Sequence, residues 1–519
     1  MDKNFYITTP IYYPSGVPHM GHAYSSILAD VFARFKRNDN HNVHFLTGTD
    51  EHGQKVEKSA QLSNETPEAF TDRVSQRFRD LANKLEISND DFIRTTEGRH
   101  AVSSQAIWNA LNESGDIYLG SYSGWYSIRD EAFFTENELT KSDEVPDQLL
   151  APSGAPVEWV EEPSYFFRLS EWGDRLQKFY EDKPDFILPE SRRNEVISFV
   201  KGGLQDLSVS RTSFKWGISV PENEHHIMYV WLDALTNYIT ASGYPNTSSD
   251  LFTKYWPANV HVVGKDILRF HAVYWPAFLM SAGLEPPQRV FAHGWWTVNG
   301  QKMSKSLKNV VDPFALVEEF GIDAVRYFLL REVPFGKDGD FSEAALVHRV
   351  NSDLSNDFGN LCQRVLSMIY KNCGATFPIP GQFIESDNEL LQKAEGLLEL
   401  IRPTIERQSC NEALEDIWKI IRMANSYVDH QAPWSLRKTD PERMQTVLYV
   451  LAECIRKFGI LLQPFIPNSA TQLLNQLGVA ENERTFSFLG IDNRLLSGTT
   501  LSQPKGIFPR IQDTEKPMN

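Results

Sequence analysis

Two pairs of titratable side chains mark where this chain could bind a polyphosphate. His19 and His22 stand three residues apart in the sequence His-Met-Gly-His, and Lys302 and Lys305 stand three residues apart in Lys-Met-Ser-Lys. Imidazole N–H groups can donate hydrogen bonds to phosphate oxygens, and lysine supplies a mobile point charge. Together the two pairs indicate chemistry on ATP.

The first motif lies where a strand is expected to turn into a helix. Residues 5–8 form an apolar run that predicts a strand, and apolar residues recur on one helical face over 27–35. A motif at that junction places its backbone N–H groups at a helix N-terminus, where unpaired donors and the helix dipole stabilise an anion. Gly21 removes a side chain where a nucleotide has to approach the main chain.

Each motif alone has a simpler explanation. Two histidines at this spacing are more often surface residues or metal ligands, and a run of lysines and serines is usually a solvated loop. Both motifs in one chain, in this order, resemble the signature of the class I aminoacyl-tRNA synthetases. That resemblance implies an α/β fold with a Rossmann-type catalytic domain.

Composition is that of a large globular enzyme. A chain of 519 residues exceeds what one hydrophobic core usually serves, so we expect two or three domains. The net charge of −17 argues against non-specific nucleic-acid binding but is compatible with a local basic surface. We see neither an apolar stretch of membrane-spanning length nor a secretory signal, so we expect a cytoplasmic protein.

The cysteines indicate neither a disulfide framework nor a zinc knuckle. All of them lie in the C-terminal part of the chain and none forms a Cys-x-x-Cys pair. We expect small buried residues or free thiols at these positions, which are Cys362, Cys373, Cys410 and Cys454.

Hydrophobic patterning divides the chain into five segments. The α/β texture is interrupted by a stretch rich in aromatics and turn residues, resumes with the runs at 228–232 and 260–264 that should complete the sheet, and gives way to helical periodicity. The predicted segments are a first Rossmann half over 1–115, a connective insertion over 116–224, a second Rossmann half with the lysine loop over 225–312, a linking helical segment over 313–350, and a helical domain with a C-terminal tail over 351–519.

The last segment carries three apolar stripes at helical spacing. They run from Leu390 to Ile401, from Leu414 to Ile421 and from Leu448 to Phe458, and polar breaks separate them. Such stripes predict a helical bundle.

Several further stretches resemble the methionyl-tRNA synthetase family over nearly the whole chain. They are Thr-Pro-Ile-Tyr-Tyr at 9–13, Gly-Thr-Asp-Glu-His-Gly at 48–53, Tyr-Val-Trp-Leu-Asp-Ala at 229–234, Gly-Lys-Asp-Ile-Leu-Arg-Phe-His at 264–271 and His-Gly-Trp at 293–295. The resemblance implies a methionine pocket formed by Ile11, Tyr13, Asp50, Trp231, Ala234, Leu235, Tyr238, Phe270 and His271.

The chemistry of methionine suits this set. A thioether favours polarizable aromatic walls, which Tyr13, Trp231 and Phe270 could supply, and the substrate ammonium needs a carboxylate such as that of Asp50. The alternative is that Trp231 and Phe270 are ordinary core residues. The resemblance further implies an ATP site comprising His19, Gly21, His22, Gly264, Asp266, Lys302, Ser304 and Lys305, of which His19, His22, Lys302 and Lys305 stabilise charge during catalysis.

The helical domain resembles the anticodon-binding domain of the same family. The resemblance assigns anticodon contacts to Asn360, Arg364 and Trp434. An aromatic side chain can stack on a splayed base while amide and guanidinium groups read base edges. The alternative for Trp434 is ordinary packing after Pro433, which ends the preceding helix.

The implied reaction is ATP-dependent activation of methionine to methionyl-adenylate, followed by transfer to tRNA(Met) for protein synthesis. Mg²⁺ is expected to accompany the nucleotide. Many family members carry Cys-x-x-Cys zinc knuckles in the insertion, and the absence of cysteine there predicts that this enzyme holds no structural zinc. The absence of a C-terminal tRNA-binding extension predicts a monomer.

Three other functions fit the sequence less well. Synthetases for leucine, isoleucine or valine carry a larger editing insertion than residues 116–224 allow. A small-molecule nucleotidylyltransferase would share His-x-Gly-His and the fold but would lack the helical bundle and the lysine loop. A non-catalytic RNA-binding relative should have lost one of His19, His22 or Lys305, and all three are present.

Overall fold

The structure is a computed structural model that describes residues 3–14, 16–130, 132–142, 145, 147–303, 309–334 and 336–512. The chain divides into two compact units. The sheet unit comprises Asn4–Ser26 and His44–His293. The helical unit comprises Ile27–Val43 and the chain from Gly294 onward, with Lys3.

The described strands range in length from 2 to 11 residues. In chain order they are β1 Asn4–Thr8, β2 Asn42–Thr49, β3 Asp91–Arg94, β4 Ile117–Ser127, β5 Ala132–Phe134, β6 Thr140–Lys141, β7 Leu149–Leu150, β8 Glu158–Phe167, β9 Ile187–Leu188, β10 Leu207–Ser208, β11 Ser210–Arg211, β12 Ser219–Val220, β13 Asn223–Met228, β14 Val260–Gly264, β15 Val290–His293, β16 Trp296–Val298, β17 Gln301–Lys302 and β18 Gly339–Phe341.

Helices occur in both units and dominate the second. They are α1 Met20–Asn38, α2 Gln54–Leu62, α3 Pro67–Lys84, α4 Gly98–Glu113, α5 Gly173–Asp182, α6 Glu190–Lys201, α7 Val230–Thr240, α8 Asp250–Tyr255, α9 Trp275–Ser281, α10 Pro313–Phe320, α11 Ile322–Arg331, α12 Glu343–Arg349, α13 Asn360–Asn372, α14 Glu385–Glu395, α15 Leu397–Glu406, α16 Cys410–Gln431, α17 Pro433–Thr439, α18 Pro441–Leu462 and α19 Pro467–Gln476.

A mostly parallel sheet forms the centre of the sheet unit. Across the described residues its strand order is β3-β2-β1-β14-β15-β9. The pairs β2 with β3, β1 with β14, β14 with β15 and β15 with β9 are parallel. The direction of winding reverses between β1 and β14, and ligands of open α/β sheets bind at the carboxyl ends of the strands beside such a point. The predicted Rossmann-type fold is therefore present.

The run 228–232, which the sequence predicts as part of the sheet, instead joins a strand end to a helix start. β13 ends at Met228 and pairs with β11 and β12 in a separate small sheet, and α7 begins at Val230. Aromatic and β-branched residues favour a strand locally. However, Leu232, Leu235 and Ile239 recur at helical spacing and are buried, so burial of that stripe decides the helix.

The segment predicted as an insertion, 116–224, includes one strand of the main sheet, β9. Its β-rich portion is an antiparallel sheet in which β4 pairs with β8 along nearly its whole length. Further on, β9 pairs in parallel with β15, Val290 lying opposite Ile187. A strand of two residues is too short to produce a detectable alternation, so no sequence pattern indicates its place in the main sheet.

The helical unit contains the predicted apolar stripes. Leu414 to Ile421 lies on α16, and Leu448 to Phe458 lies on α18. The stripe from Leu390 to Ile401 spans two helices, because α14 ends and α15 begins on either side of Gly396. Glycine is a weak helix former, which fits a break at this position.

Candidate active site

The His-Met-Gly-His motif lies at the start of α1, and its own backbone orients both imidazoles. The His19 N–H donates to His22 Nδ1 at 3.1 Å, and the Gly21 N–H donates to His19 Nδ1 at 3.0 Å. A ring nitrogen that accepts a hydrogen bond carries no proton. Both rings are therefore the tautomer protonated at Nε2, and both present an Nε2–H donor.

The two rings lie side by side, and the second is held neutral. Their centroids are 3.8 Å apart. Burial, and secondarily the charge that His19 would carry, lower the pKa of His22 well below its usual range. The rings of Tyr12 and Phe78 contact His22 edge-on at centroid distances of 4.9 Å and 5.1 Å. His22 can therefore donate to an anion at neutral pH without being charged in the free enzyme.

Gly21 is required by the position of the His19 ring. A Cβ on residue 21 would lie 2.9 Å from His19 Cε1, closer than real Cβ contacts.

The next residues of α1 contact His293 at the end of β15. The Ser25 hydroxyl lies 2.7 Å from His293 Nε2, and the Tyr24 ring meets the His293 ring edge-on at 5.0 Å. The first turn of α1 is thus fixed against the end of β15.

The aromatic residues predicted for the methionine pocket form a stack. The rings of Trp231 and Phe270 are 3.7 Å apart between centroids and nearly parallel, at 5°. Trp231 lies in the first turn of α7, and Phe270 begins the π-helical turn Phe270–Tyr274. Both are only partly buried, so they are not fully enclosed core residues. The two rings form a half-open aromatic surface, and its contact with methionine stays a prediction.

Tyr238 and His271 form a buried polar pair beside that wall. Since a carbonyl can only accept, His271 Nδ1–H donates to the Ile267 carbonyl at 2.9 Å, and His271 Nε2 accepts from the Tyr238 hydroxyl at 2.7 Å. Burial lowers the pKa of His271 to about 4. The pair is therefore neutral and its hydrogen bonds have a fixed direction.

Asp50 comes directly after β2 and is buried, with 7% of its surface exposed. Its N–H donates to the Tyr12 carbonyl at 3.0 Å. The neighbouring Tyr13 hydroxyl donates to the His52 carbonyl at 3.0 Å, and Lys55 Nζ lies 4.8 Å above the Tyr13 ring. The segments after β1 and β2 are thereby joined at the carboxyl edge of the sheet.

Asp266 lies just past β14, in the turn Lys265–Ile267, and is exposed. A Cβ on Gly264 would lie 2.6 Å from Asp266 Oδ1, so the carboxylate folds back towards the backbone of Gly264. The carboxylate is therefore exposed at a strand end, and its contact with ATP stays a prediction.

The lysine motif belongs to the helical unit. β17 ends at Lys302 and pairs with β16, which pairs in turn with β18. Ser304 and Lys305 lie outside the described residues, so the position of their predicted ATP contacts rests on the sequence.

The three predicted anticodon residues lie in the same unit. Asn360 and Arg364 are one turn apart on α13, and Asn360 is exposed. Trp434 lies on α17 with 46% of its surface exposed, and the Arg364 guanidinium lies 5.3 Å from its ring centroid. Arg364 also pairs with Asp429 at 2.7 Å. An exposed tryptophan argues against the packing alternative for this residue.

Sequence reasoning missed two buried clusters behind the site. Asp233 accepts hydrogen bonds from His52 and His100, and Glu51 binds Arg94 through both carboxylate oxygens at 2.7 Å and 2.9 Å. The members are far apart in the sequence, and no spacing signals them. Among the described residues, no group of three or more His, Cys, Asp or Glu side chains could hold a metal ion, and the expected lack of zinc stays a prediction.

Known proteins resemble the chain throughout its length. The family described as tRNA synthetases class I (M) matches residues 5–366, and the anticodon binding domain of methionyl tRNA ligase matches residues 377–518. The methionine--tRNA ligase of Rickettsia felis is 56% identical over 99% of both chains, and that of Mesorhizobium japonicum is 55% identical over 98% of both.

Solved structures agree with the fold. Mycobacterium tuberculosis methionyl-tRNA synthetase in complex with methionyl-adenylate is 53% identical and superposes with a TM-score of 0.96, covering 98% of this chain and all of the other. The free form of the same enzyme gives a TM-score of 0.90 at 50% identity, covering 99% of each chain. At this level of identity the similarity extends beyond the fold to the sequence.

Proposed function

The chain belongs to the class I tRNA synthetases of the methionine type, and from that premise we propose that it catalyses ATP-dependent activation of methionine and its transfer to tRNA(Met). The enzyme would act in protein synthesis. A methionine--tRNA ligase needs a site for a triphosphate, a site for an amino acid with a thioether, and a surface for tRNA.

One observation carries the proposal. A continuous series of contacts connects the two histidines to the predicted amino-acid pocket within the sheet unit. The His22 ring contacts Tyr12, the next residue Tyr13 donates to the His52 carbonyl, and the His52 ring binds Asp233 on the helix that bears Trp231. These contacts support the proposal that the phosphate donors and the amino-acid pocket belong to one site.

In the first step the methionine carboxylate attacks the α-phosphorus of ATP, forming methionyl-adenylate and releasing pyrophosphate. The Nε2–H groups of His19 and His22 would donate to phosphate oxygens as charge develops, and Lys302 and Lys305 would add positive charge. Asp50 would bind the substrate ammonium, while Trp231 and Phe270 would enclose the thioether. Positioning and charge stabilisation account for the catalysis, and no residue needs to act as a nucleophile.

In the second step the terminal ribose hydroxyl of tRNA attacks the methionyl carbonyl, releasing AMP. Mg²⁺ would enter with ATP, since this ion retains water ligands and binds substrate phosphates.

The described residues contain no helix long and apolar enough to cross a membrane. The cytoplasmic location, the monomeric state and the absence of zinc stay predictions.

The direct test is amino-acid-dependent exchange of pyrophosphate into ATP. We expect exchange with methionine, and far weaker exchange with leucine, isoleucine and valine, because a pocket built on a stacked aromatic wall favours the polarizable thioether. Exchange supported equally by a branched aliphatic amino acid, or none with any amino acid, would contradict the proposal.

Trp434→Ala separates the anticodon role from the chemistry. Stacking on a base is worth about 1–3 kcal/mol, so aminoacylation of tRNA should weaken roughly 10- to 100-fold. Methionine-dependent pyrophosphate exchange needs no tRNA and should stay almost unchanged. Tyr370→Ala is the matched control, because Tyr370 is an exposed aromatic on α13, 39% exposed, outside the predicted contacts. Parallel loss of both activities with a lower melting temperature would instead support the packing role for Trp434.

A further inference from the structure

A buried carboxylate lies between two imidazoles behind the methionine pocket. Asp233 Oδ2 accepts from His52 Nδ1–H at 2.6 Å, and Asp233 Oδ1 accepts from His100 Nε2–H at 2.7 Å. Asp233 and His100 are fully enclosed, and His52 is 7% exposed. Although burial opposes ionisation, the field of His52 and hydrogen bonds from both histidines lower the pKa of Asp233 to about 2. The carboxylate is therefore ionised throughout the working range of pH.

The cluster joins three separate segments of the sheet unit. His52 follows β2, two residues after Asp50, and its carbonyl accepts the hydrogen bond from Tyr13. His100 lies on α4, and its Nδ1 is 3.2 Å from the hydroxyl of Thr240, the last residue of α7. His52 thus connects α7 to the segment after β2, which carries the predicted ammonium ligand. His100 connects α4 to both ends of α7, through Asp233 and Thr240.

The helix so held carries much of the predicted pocket, including Trp231, Ala234, Leu235 and Tyr238. Asp50, the predicted ligand of the ammonium, lies on the segment after β2, two residues before His52. Hydrogen bonds that two oriented N–H groups donate to a carboxylate are stronger than neutral hydrogen bonds, and they are directional. The distance between the carboxylate for the ammonium and the aromatic wall for the thioether therefore depends on this cluster.

We propose that His52, Asp233 and His100 are positioning residues that set the width of the methionine pocket, a role that rests on the proposed function. They do not touch the reacting atoms. Their effect is on the affinity for methionine, through the placement of α7 relative to the segment after β2. Binding of ATP, which depends on the His-Met-Gly-His turn and the lysine loop, does not depend on them.

The test exploits the different reach of asparagine and glutamine. The amide nitrogen of asparagine lies near the place of imidazole Nδ1, and that of glutamine near the place of Nε2. His52→Asn and His100→Gln therefore keep the donors to Asp233, whereas the exchanged pair His52→Gln and His100→Asn misplace them. All four variants introduce a polar side chain no larger than imidazole, so the comparison does not depend on an alanine variant that fails to fold.

In the exchange assay we expect the misplaced pair to raise the KM for methionine roughly 10- to 100-fold, the factor for losing a hydrogen bond to a charged group. The KM for ATP should stay within about 2-fold. His52→Asn and His100→Gln should approach the wild-type KM for methionine. Ser103→Ala is the control on α4, because its hydroxyl bonds the Tyr244 carbonyl outside the cluster at 2.6 Å.

Several outcomes would overturn the positioning role. Four variants with equal effects, or no change in the KM for methionine in any of them, would show that donor placement does not matter. A parallel rise in the KM values for methionine and ATP with a lower melting temperature would show a general structural role. Failure of the wild-type enzyme to exchange pyrophosphate with methionine would instead contradict the proposed function, so the two failures are distinguishable.

Discussion

Replacing His22 by asparagine should slow methionine-dependent pyrophosphate exchange by roughly 10²- to 10³-fold, the range for removing one oriented donor from a site where charge develops. The asparagine oxygen lies near the place of Nδ1 and can still accept from the His19 N–H, which is 3.1 Å from that atom in the structure. Nothing replaces the Nε2–H group. The chemistry should therefore be lost while the start of α1 remains intact.

His22→Gln is the matched control for this prediction. Its amide nitrogen can reach the place of Nε2 and donate to phosphate, although the acceptor for the His19 N–H is displaced. We expect this variant to exchange pyrophosphate at least 10-fold faster than His22→Asn, since it keeps the donor whose loss slows the reaction most. Equal rates in the two variants, or near-normal exchange by His22→Asn, would remove the Nε2–H donor from the mechanism.

Lys305→Ala should lower the rate of adenylate formation by roughly 10²-fold or more, the scale for losing one oriented charge donor. The KM for methionine should change little, because Lys305 is not among the predicted methionine contacts. The prediction rests on the sequence motif, since Lys305 lies outside the described residues.

Lys308→Ala serves as the comparison for the lysine loop. It removes the same charge three residues further along the chain, at a position to which no ATP contact is assigned. A loss confined to Lys305→Ala indicates a specific contact with the nucleotide. Equal losses in the two variants would indicate that only the net charge of the loop matters, and near-normal exchange in Lys305→Ala would exclude it from the mechanism.

The sequence by itself determined the chemistry, because a short motif is defined by the types and spacing of neighbouring residues. His-Met-Gly-His after an apolar run predicted a strand, a turn and a helix, and the structure has β1 and α1 around that turn. The run at 260–264 predicted a strand, and the apolar stripes of the helical unit predicted helices, because each pattern is long enough to show its periodicity. The family was identified from separated motifs in one order, and the comparisons confirm it.

The tertiary structure decided what depends on residues far apart in the chain. The sequence could not show that 230–240 is a helix, because its first residues favour a strand and only the buried stripe outweighs that preference. It could not place β9 in the main sheet, since two residues carry no pattern.

The same limit applies within the site. The tautomers of His19 and His22 follow from hydrogen bonds to backbone N–H groups that exist only once α1 has formed. The hydrogen bonds of the His52–Asp233–His100 cluster join positions 181 and 133 residues apart, and they arise when α4, α7 and the end of β2 pack together. Residue types and spacing indicated which chemistry the chain performs, whereas packing decided which nitrogens carry protons and which buried groups hold the pocket in place.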